Sequence, residues 1–245
     1  MKPTTISTLF FLMLLNVATA TAQTQRLSKV LSSVDFGFGI KQKNAVAAIS
    51  FSQYLELDRR GLFQVSWGLR MARFMGQNVP FTTAPPLLTT GKGGLSAVGA
   101  PIIGANIDTL FMPKAQLTSL NFMVGVQLQV GTVNIGANAD IFGLALAGSR
   151  IGTFASNESI KFNDSPQTAT TKLGNIRLLG DNNRGNLNAE IYARVWIAQQ
   201  VGIKIGYFFS MSEYQTAEKN LPNANDRFRF RQSTPYISIS LPIYN

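Results

Sequence analysis

The sequence predicts an all-β protein, an antiparallel up-and-down transmembrane β-barrel of eight strands. Three observations predict it: apolar side chains on alternate positions of eight segments, an apolar leader, and connections of two lengths. Successive side chains of a strand point to opposite faces, so this alternation gives each strand one apolar and one polar face. The polar faces carry Gly, Ser, Asn and Gln with isolated charges, which suits the narrow interior of a small barrel in lipid.

The first 22 residues have the features of a secretory signal peptide. Lys2 precedes an apolar run at 6–17, and Ala20-Thr21-Ala22 is a cleavage site of the A-x-A type. We expect segment 1–22 to be removed and residues 23–245 to form the barrel domain. The run is shorter than the roughly 20 residues that a transmembrane helix needs.

The first three strands are predicted at 34–41, 45–57 and 62–74. Asp35 lies on the polar face of the first strand and Arg70 on that of the third. The second and third strands are joined by a tight turn at 58–61, and Gly61 is a residue type that such turns favour.

The fourth and fifth strands, at 120–130 and 133–141, show the most regular alternation, and Gly131-Thr132 forms the turn between them. The sixth and seventh form a hairpin over 187–211, with Gln199 and Gln200 at its turn.

The eighth strand is predicted at 228–244. Phe228 and Phe230 have the opposite parity to Ile237 and the apolar residues after it. A β-bulge at 233–235 would bring both sets of apolar side chains to the same face.

Connection lengths give an independent indication of membrane topology. Short turns follow strands two, four and six, whereas long segments at 75–116, 148–186 and 215–227 follow strands three, five and seven. Outer-membrane barrels have short periplasmic turns and longer extracellular loops. We therefore expect the outer membrane of a Gram-negative bacterium, with only the first outer loop, 42–44, being short.

Acidic and basic residues are balanced on the polar faces, which predicts ion pairs across the interior. An unpaired charge in a narrow barrel is costly, so we expect a salt-bridged plug; a gated polar pathway and a catalytic carboxylate pair are the alternatives. Arg70, Asp140 and Arg194 are expected near mid-depth, and Asp35, Glu56 and Lys204 toward the periplasmic end. The complete inward set is Asp35, Lys41, Glu56, Arg70, Asp140, Glu190, Arg194 and Lys204.

The chain has no histidine and no cysteine. Ser-His triads, thiol nucleophiles, disulfides and histidine-bearing zinc sites are therefore excluded, and we expect neither enzymatic activity nor a cofactor or metal.

A second cluster of charge lies near the predicted outer rim. Arg227, Arg229 and Arg231 alternate with two phenylalanines, which suits contact with lipid headgroups such as those of lipopolysaccharide. We expect no nucleic-acid partner despite the net charge of +10, because an exported membrane barrel has little access to one.

These features resemble the small eight-stranded outer-membrane barrels, such as OmpX and the membrane domain of OmpA. The stretch GDNNRGNLNAEIYARVWIAQQVGIKIGYFFSMSEYQT, followed by NDRFRF, is similar to barrel proteins of Bacteroidetes-type bacteria. The resemblance implies a monomer that meets the barrel-assembly machinery during biogenesis. Such barrels usually end in an aromatic residue, whereas here Asn245 follows Tyr244.

No motif in the chain specifies an activity. We expect a structural or surface-interaction barrel that acts through its long extracellular loops. There are two alternative functions: a narrow channel for ions or small solutes, and an accessory of an envelope secretion or assembly system. The alternative fold is a soluble β-sandwich or lipocalin-like barrel.

Overall fold

The computed structural model describes residues 32–156, 163–178, 182–218, 221 and 225–243. The predicted signal peptide, 1–22, and the terminal Tyr244 and Asn245 lie outside the described residues, so both remain predictions. The described part contains one short helix, α1 (Pro86–Thr90), two 3-10 turns (Gly94–Ala97 and Gly104–Asn106) and these strands: β1 (Ser32–Lys41), β2 (Asn44–Glu56), β3 (Phe63–Thr83), β4 (Thr109–Val130), β5 (Val133–Leu146), β6 (Arg150–Ala155), β7 (Ser165–Thr170), β8 (Gly174–Ile176), β9 (Leu187–Ala198), β10 (Val201–Thr216) and β11 (Arg227–Ile243).

Eight of these strands close into a ring in which every neighbouring pair is antiparallel. The order is β1-β2-β3-β4-β5-β9-β10-β11, and β11 pairs back onto β1 from Ser32↔Ile243 to Phe38↔Ile237. The predicted all-β, up-and-down, eight-stranded barrel is confirmed. Closure gives each strand a partner on both edges, which satisfies the main-chain amides in a medium without water.

The outer face of the eight-stranded ring is apolar, and the lower part of its inner face is polar. Because a soluble barrel or β-sandwich would bury its apolar face, this arrangement excludes that alternative and is typical of a barrel that spans a membrane. No helix among the described residues is long and apolar enough to cross a bilayer. Exposed outward side chains include Phe36, Phe38, Ile49, Trp67, Leu69, Leu120, Val126, Ile135, Ile191, Ile203, Ile205, Tyr207, Ile237 and Ile239.

The two ends of the barrel differ, and we call them the short-turn end and the long-loop end. The short-turn end carries the connections 57–62, 131–132 and 199–200. At the long-loop end, only the β1–β2 connection is short: Lys41 pairs with Asn44, and Gln42 adopts a φ of 55° to close the turn.

Several strands are longer than predicted, because they rise above the eight-stranded ring. β3 and β4 pair up to Thr82↔Thr109, through residues that the sequence assigns to a long connection. Inward apolar side chains such as Phe81 and Leu110 continue the alternation there, and both are buried. In the lower part of each strand, apolar and polar residues alternate. In these upper parts the inward side chains are also apolar, so the sequence does not show that alternation.

These extensions form a second, smaller ring, which we call the upper ring. The upper parts of β3, β4, β10 and β11 are joined by β6 and β7 through the contacts Leu110↔Phe154, Gly152↔Gln167, Thr216↔Ala169 and Phe228↔Thr83. Six strands thereby close above the eight, and the predicted long segment 148–186 supplies two of them.

The predicted bulge at 233–235 is wrong. β11 pairs with β10 without a register shift from Arg227 to Ser240, so Phe228 points inward as Ser238 does. Phe228 is apolar although it faces inward, because the interior of the upper ring is apolar. A bulge lies instead in β5, where Phe122 opposes Phe142 but Met123 opposes Asp140, leaving Ile141 as the extra residue.

Candidate functional site

Six charged side chains form one continuous series of ion pairs inside the eight-stranded ring. We call this series the charge chain: Asp140–Arg70–Glu190–Lys204–Asp35–Arg194. The N···O distances along it are 3.0, 3.2, 2.9, 2.9 and 3.0 Å. The alternation in the sequence predicts that all six face inward.

The charge chain is neutral as a whole and closed to solvent. Three carboxylates alternate with three cations, and no side chain in it exposes more than 3% of its surface. An isolated buried ion costs several kcal/mol, so alternation of sign is what allows six charges to occupy one interior.

Amide side chains hold the end of the charge chain nearer the long loops. Asp140 Oδ2 accepts hydrogen bonds from Asn121 Nδ2 at 2.7 Å and from the main-chain and side-chain nitrogens of Asn188, each at 2.8 Å. Arg70 donates to Asn138 and, at 3.3 Å, to Ser50 Oγ. These hydrogen bonds use the carboxylate lone pairs and guanidinium N–H groups that do not take part in the ion pairs.

Aromatic side chains surround the other end, at Arg194. Its guanidinium lies over the rings of Trp196, Tyr192 and Tyr54 at 5.2, 5.4 and 5.7 Å, and its Nη1 donates to Tyr54 Oη at 3.1 Å. Cation–π contacts of this kind stabilise a desolvated cation. The expectation that Arg194 lies near mid-depth is wrong: it pairs across the sheet with Asn134, the second residue of β5, near the short-turn end.

The upper half of the interior is closed by apolar side chains, which we call the apolar plug. Phe81 meets Tyr214 at 5.1 Å, Phe154 meets Phe228 at 5.9 Å and Phe208 meets Tyr236 at 5.1 Å between ring centroids. The plug consists of Phe74, Phe81, Leu110, Met112, Phe154, Phe208, Tyr214, Phe228 and Tyr236, all buried.

The apolar plug rests directly on the charge chain. The Arg70 guanidinium lies 5.4 Å from the centre of the Phe208 ring. A cavity of about 10 Å³ beside this contact, between Ala72, Leu117 and Asn188, is large enough for a single water molecule. The interior is therefore filled at two successive levels, one by paired charges and one by apolar side chains.

Glu56 and Lys41 are the predicted inward charges that stand apart from the charge chain. Glu56 is half-buried at the short-turn end of β2, opposite Gln64. Lys41 is exposed where β1 turns into β2. Both lie at strand ends, where the alternation of faces no longer decides whether a side chain is enclosed.

The arginines predicted at the outer rim do not form one exposed cluster. Glu213 accepts from Arg227 Nε at 2.9 Å and from Arg229 Nη2 at 3.0 Å, and Arg229 is 5% exposed. The Asn183 carbonyl oxygen accepts a hydrogen bond from each of the two guanidinium groups. Only Arg231 is exposed. The sequence pattern missed Glu213 because it lies on the neighbouring strand.

Arg177 is a residue near the charge chain that sequence reasoning missed. It follows β8, and its Nε and Nη2 donate to the main-chain carbonyls of Asp140 at 2.6 Å and Asn188 at 3.1 Å. No periodic pattern marks this part of the chain, so only the folded structure brings it to the barrel wall.

Within the described ranges, no three His, Cys, Asp or Glu side chains come together in a way that could hold a metal ion. Asp140, Glu190 and Asp35 are the central carboxylates, and each has a cation at 3.2 Å or less. A general acid or base must reach a substrate, and these groups are enclosed.

Comparison with known proteins adds solved structures alone, because no family model and no curated protein sequence matches the chain. The outer membrane enzyme PagL is 10% identical with a TM-score of 0.37, covering 86% of this chain and 99% of its own. The Yersinia pestis outer membrane protein Ail is 10% identical with a TM-score of 0.31, covering 86% and 98%. The CymD monoaromatic hydrocarbon channel, also 10% identical, has a TM-score of 0.26 and covers 95% and 92%. An enzyme and a channel both occur among these proteins, so their functions do not carry over to this chain.

Proposed function

We propose that this protein is a non-enzymatic barrel of the Gram-negative outer membrane that acts as a structural and surface-interaction protein. The observation that carries the proposal is the doubly closed interior, in which the charge chain and the apolar plug lie one above the other. A closed interior leaves the outward segments as the parts available to a partner. The outer location is supported by the apolar outer face together with the two lengths of connection.

The segment between β3 and β4 is the outward surface best suited to a partner. Five large apolar side chains there are 41–71% exposed: Leu87, Leu95, Val98, Ile102 and Ile103. Lys92 is the only charged residue between 84 and 107. Exposed apolar side chains in such a group are typical of a protein-interaction site.

Single-channel recording of the refolded mature protein in a planar bilayer tests the closed interior. We expect no discrete conductance steps from protein whose heat-modifiable gel mobility shows a folded barrel. Reproducible steps that change in Arg70→Ala or Arg194→Ala would contradict the proposal and establish the narrow-channel alternative.

Photo-crosslinking on intact cells tests the surface role. A photoreactive side chain at position 102 is expected to give discrete crosslinked bands, whereas the same group at Lys43, in the short β1–β2 turn at the same end, is expected to give none. Equal patterns at the two positions would contradict a role for the β3–β4 segment. Bands that contain envelope secretion or assembly components would favour the accessory alternative.

A further inference from the structure

A groove runs down the outer wall of the barrel over β9, β10 and β11. Its upper part, of about 360 Å³, is lined by Arg177 and Arg231 together with Leu187, Ala189 and Phe209. Ala189 and Phe209 also line a second depression of about 400 Å³, which reaches β4 and β5. We call the two parts together the outer groove.

Small side chains create the lower part of the outer groove. Ala137 and Ala139 on β5 lie beside Ala189 on β9, with Val124 on one side and Phe209 on the other. The surface of this floor is almost entirely apolar. Such a surface suits an extended hydrocarbon chain.

Two arginines, Arg177 and Arg231, line the upper part of the outer groove. Arg177 is held in place by two neutral carbonyl oxygens, so its fixed partners do not cancel its charge. Arg231 on β11 lines the same space and is exposed.

The depth of Arg231 matches the boundary of the membrane. Arg231 pairs with Met211, which lies ten residues above Val201, the start of β10 at the short-turn end. A rise of about 3.4 Å per residue and a tilt of about 40° place Arg231 about 26 Å above that end. The apolar band of such barrels is about 25 Å tall, so Arg231 lies at the headgroup level and the alanine floor lies in the hydrocarbon.

We infer that the outer groove binds a phosphate-bearing glycolipid of the outer leaflet, with a phosphate between Arg177 and Arg231 and one acyl chain along Ala189 and Phe209. Planar guanidinium groups bind phosphate oxygens through paired hydrogen bonds. This inference rests on the proposed outer-membrane orientation, but it depends neither on the closed interior nor on the β3–β4 segment.

Native mass spectrometry of the folded mature protein in detergent, titrated with bisphosphorylated lipid A, tests the site. We expect one lipid A to be retained more strongly than phosphatidylglycerol or phosphatidylcholine. Arg177→Gln and Arg231→Gln should each weaken retention about fivefold, equivalent to the about 1 kcal/mol that a cation contributes near an anionic surface. Ala189→Leu should weaken it without changing the charge.

Arg73→Gln is the matched control. Arg73 is exposed, lies ten residues above Phe63 at the short-turn end of β3, and β3 stands four strands from β10 in either direction around the ring. It should bind lipid A as the unaltered protein does. Equal retention in Arg231→Gln and the unaltered protein would overturn the site even if Arg177→Gln failed to fold. Preference for phosphatidylglycerol would overturn the glycolipid assignment. A conducting barrel would contradict the proposed function while leaving this result unaffected.

Discussion

Arg70→Met is the substitution that most directly tests the charge chain. Arg70 is fully buried and joins Asp140 to Glu190, so its removal leaves the interior with one excess negative charge. Methionine fills most of the space beside Phe208 without supplying a donor. The substitution therefore isolates the loss of charge and hydrogen bonds from the loss of packing.

The expected cost follows from what the two carboxylates retain. Removing one partner of a buried ion pair costs about 3–5 kcal/mol. Asp140 keeps its hydrogen bonds from Asn121 and Asn188, and Glu190 keeps Lys204 at 2.9 Å. We therefore expect a loss of about 3 kcal/mol in the free energy of unfolding, at the lower end of that range.

A second substitution tests whether the loss of stability comes from the unbalanced negative charge. Arg70→Met combined with Glu190→Gln restores a neutral interior, because one cation and one anion are then removed. We expect the double variant to be more stable than Arg70→Met alone by about 1 kcal/mol or more, although it has lost more of the native contacts.

Urea-induced unfolding in lipid vesicles, followed by tryptophan fluorescence and heat-modifiable gel mobility, measures these differences. Arg73→Met, three residues along β3 on the outer face, is the control and should change stability by less than about 0.5 kcal/mol. A double variant as unstable as the sum of its two single variants would refute the reasoning, since the charges would then act independently.

Two further substitutions test the packing. Phe81→Ala should cost about 3–5 kcal/mol and speed amide exchange in the upper ring first, because the side chain is fully buried in the apolar plug. Phe111→Ala, at 45% exposure on the outer side of the same ring, should cost far less; equal losses would contradict the plug. Gly68→Ala should destabilise the barrel by about 1–3 kcal/mol, since a Cβ there would lie 1.8 Å from the Phe51 carbonyl oxygen of β2. Gly93→Ala, with open space around it, should unfold at the same urea concentration as the unaltered protein.

The arrangement of the two barriers gives the protein an interior with distinct layers. The charge chain fixes how β1, β3, β5, β9 and β10 face one another across the eight-stranded ring, since each contributes one or more members. The apolar plug fills the interior of the upper ring with side chains such as Phe81, Leu110 and Phe154.

Local patterning along the chain is sufficient to predict the barrel and its inward charges. A strand has a strict period of two, so the alternation of apolar and polar residues alone assigns Asp35, Arg70 and Asp140 to the interior. The rule succeeds because the apolar face of a membrane barrel is continuous around the ring. Where the interior is itself apolar, as at Phe228, the same rule predicts a bulge that does not exist.

Which charges meet, and what lies above them, depends on the tertiary fold. Asp140 lies 70 residues from Arg70 along the chain, and Lys204 lies 169 residues from Asp35, so closure and stagger of the sheet set their relative heights. Glu213 forms ion pairs with Arg227 and Arg229 from a neighbouring strand, and Arg177 reaches the wall from a segment without periodicity. Alternation fixes the face of each side chain, whereas the stagger of the closed ring fixes which side chains meet across its interior.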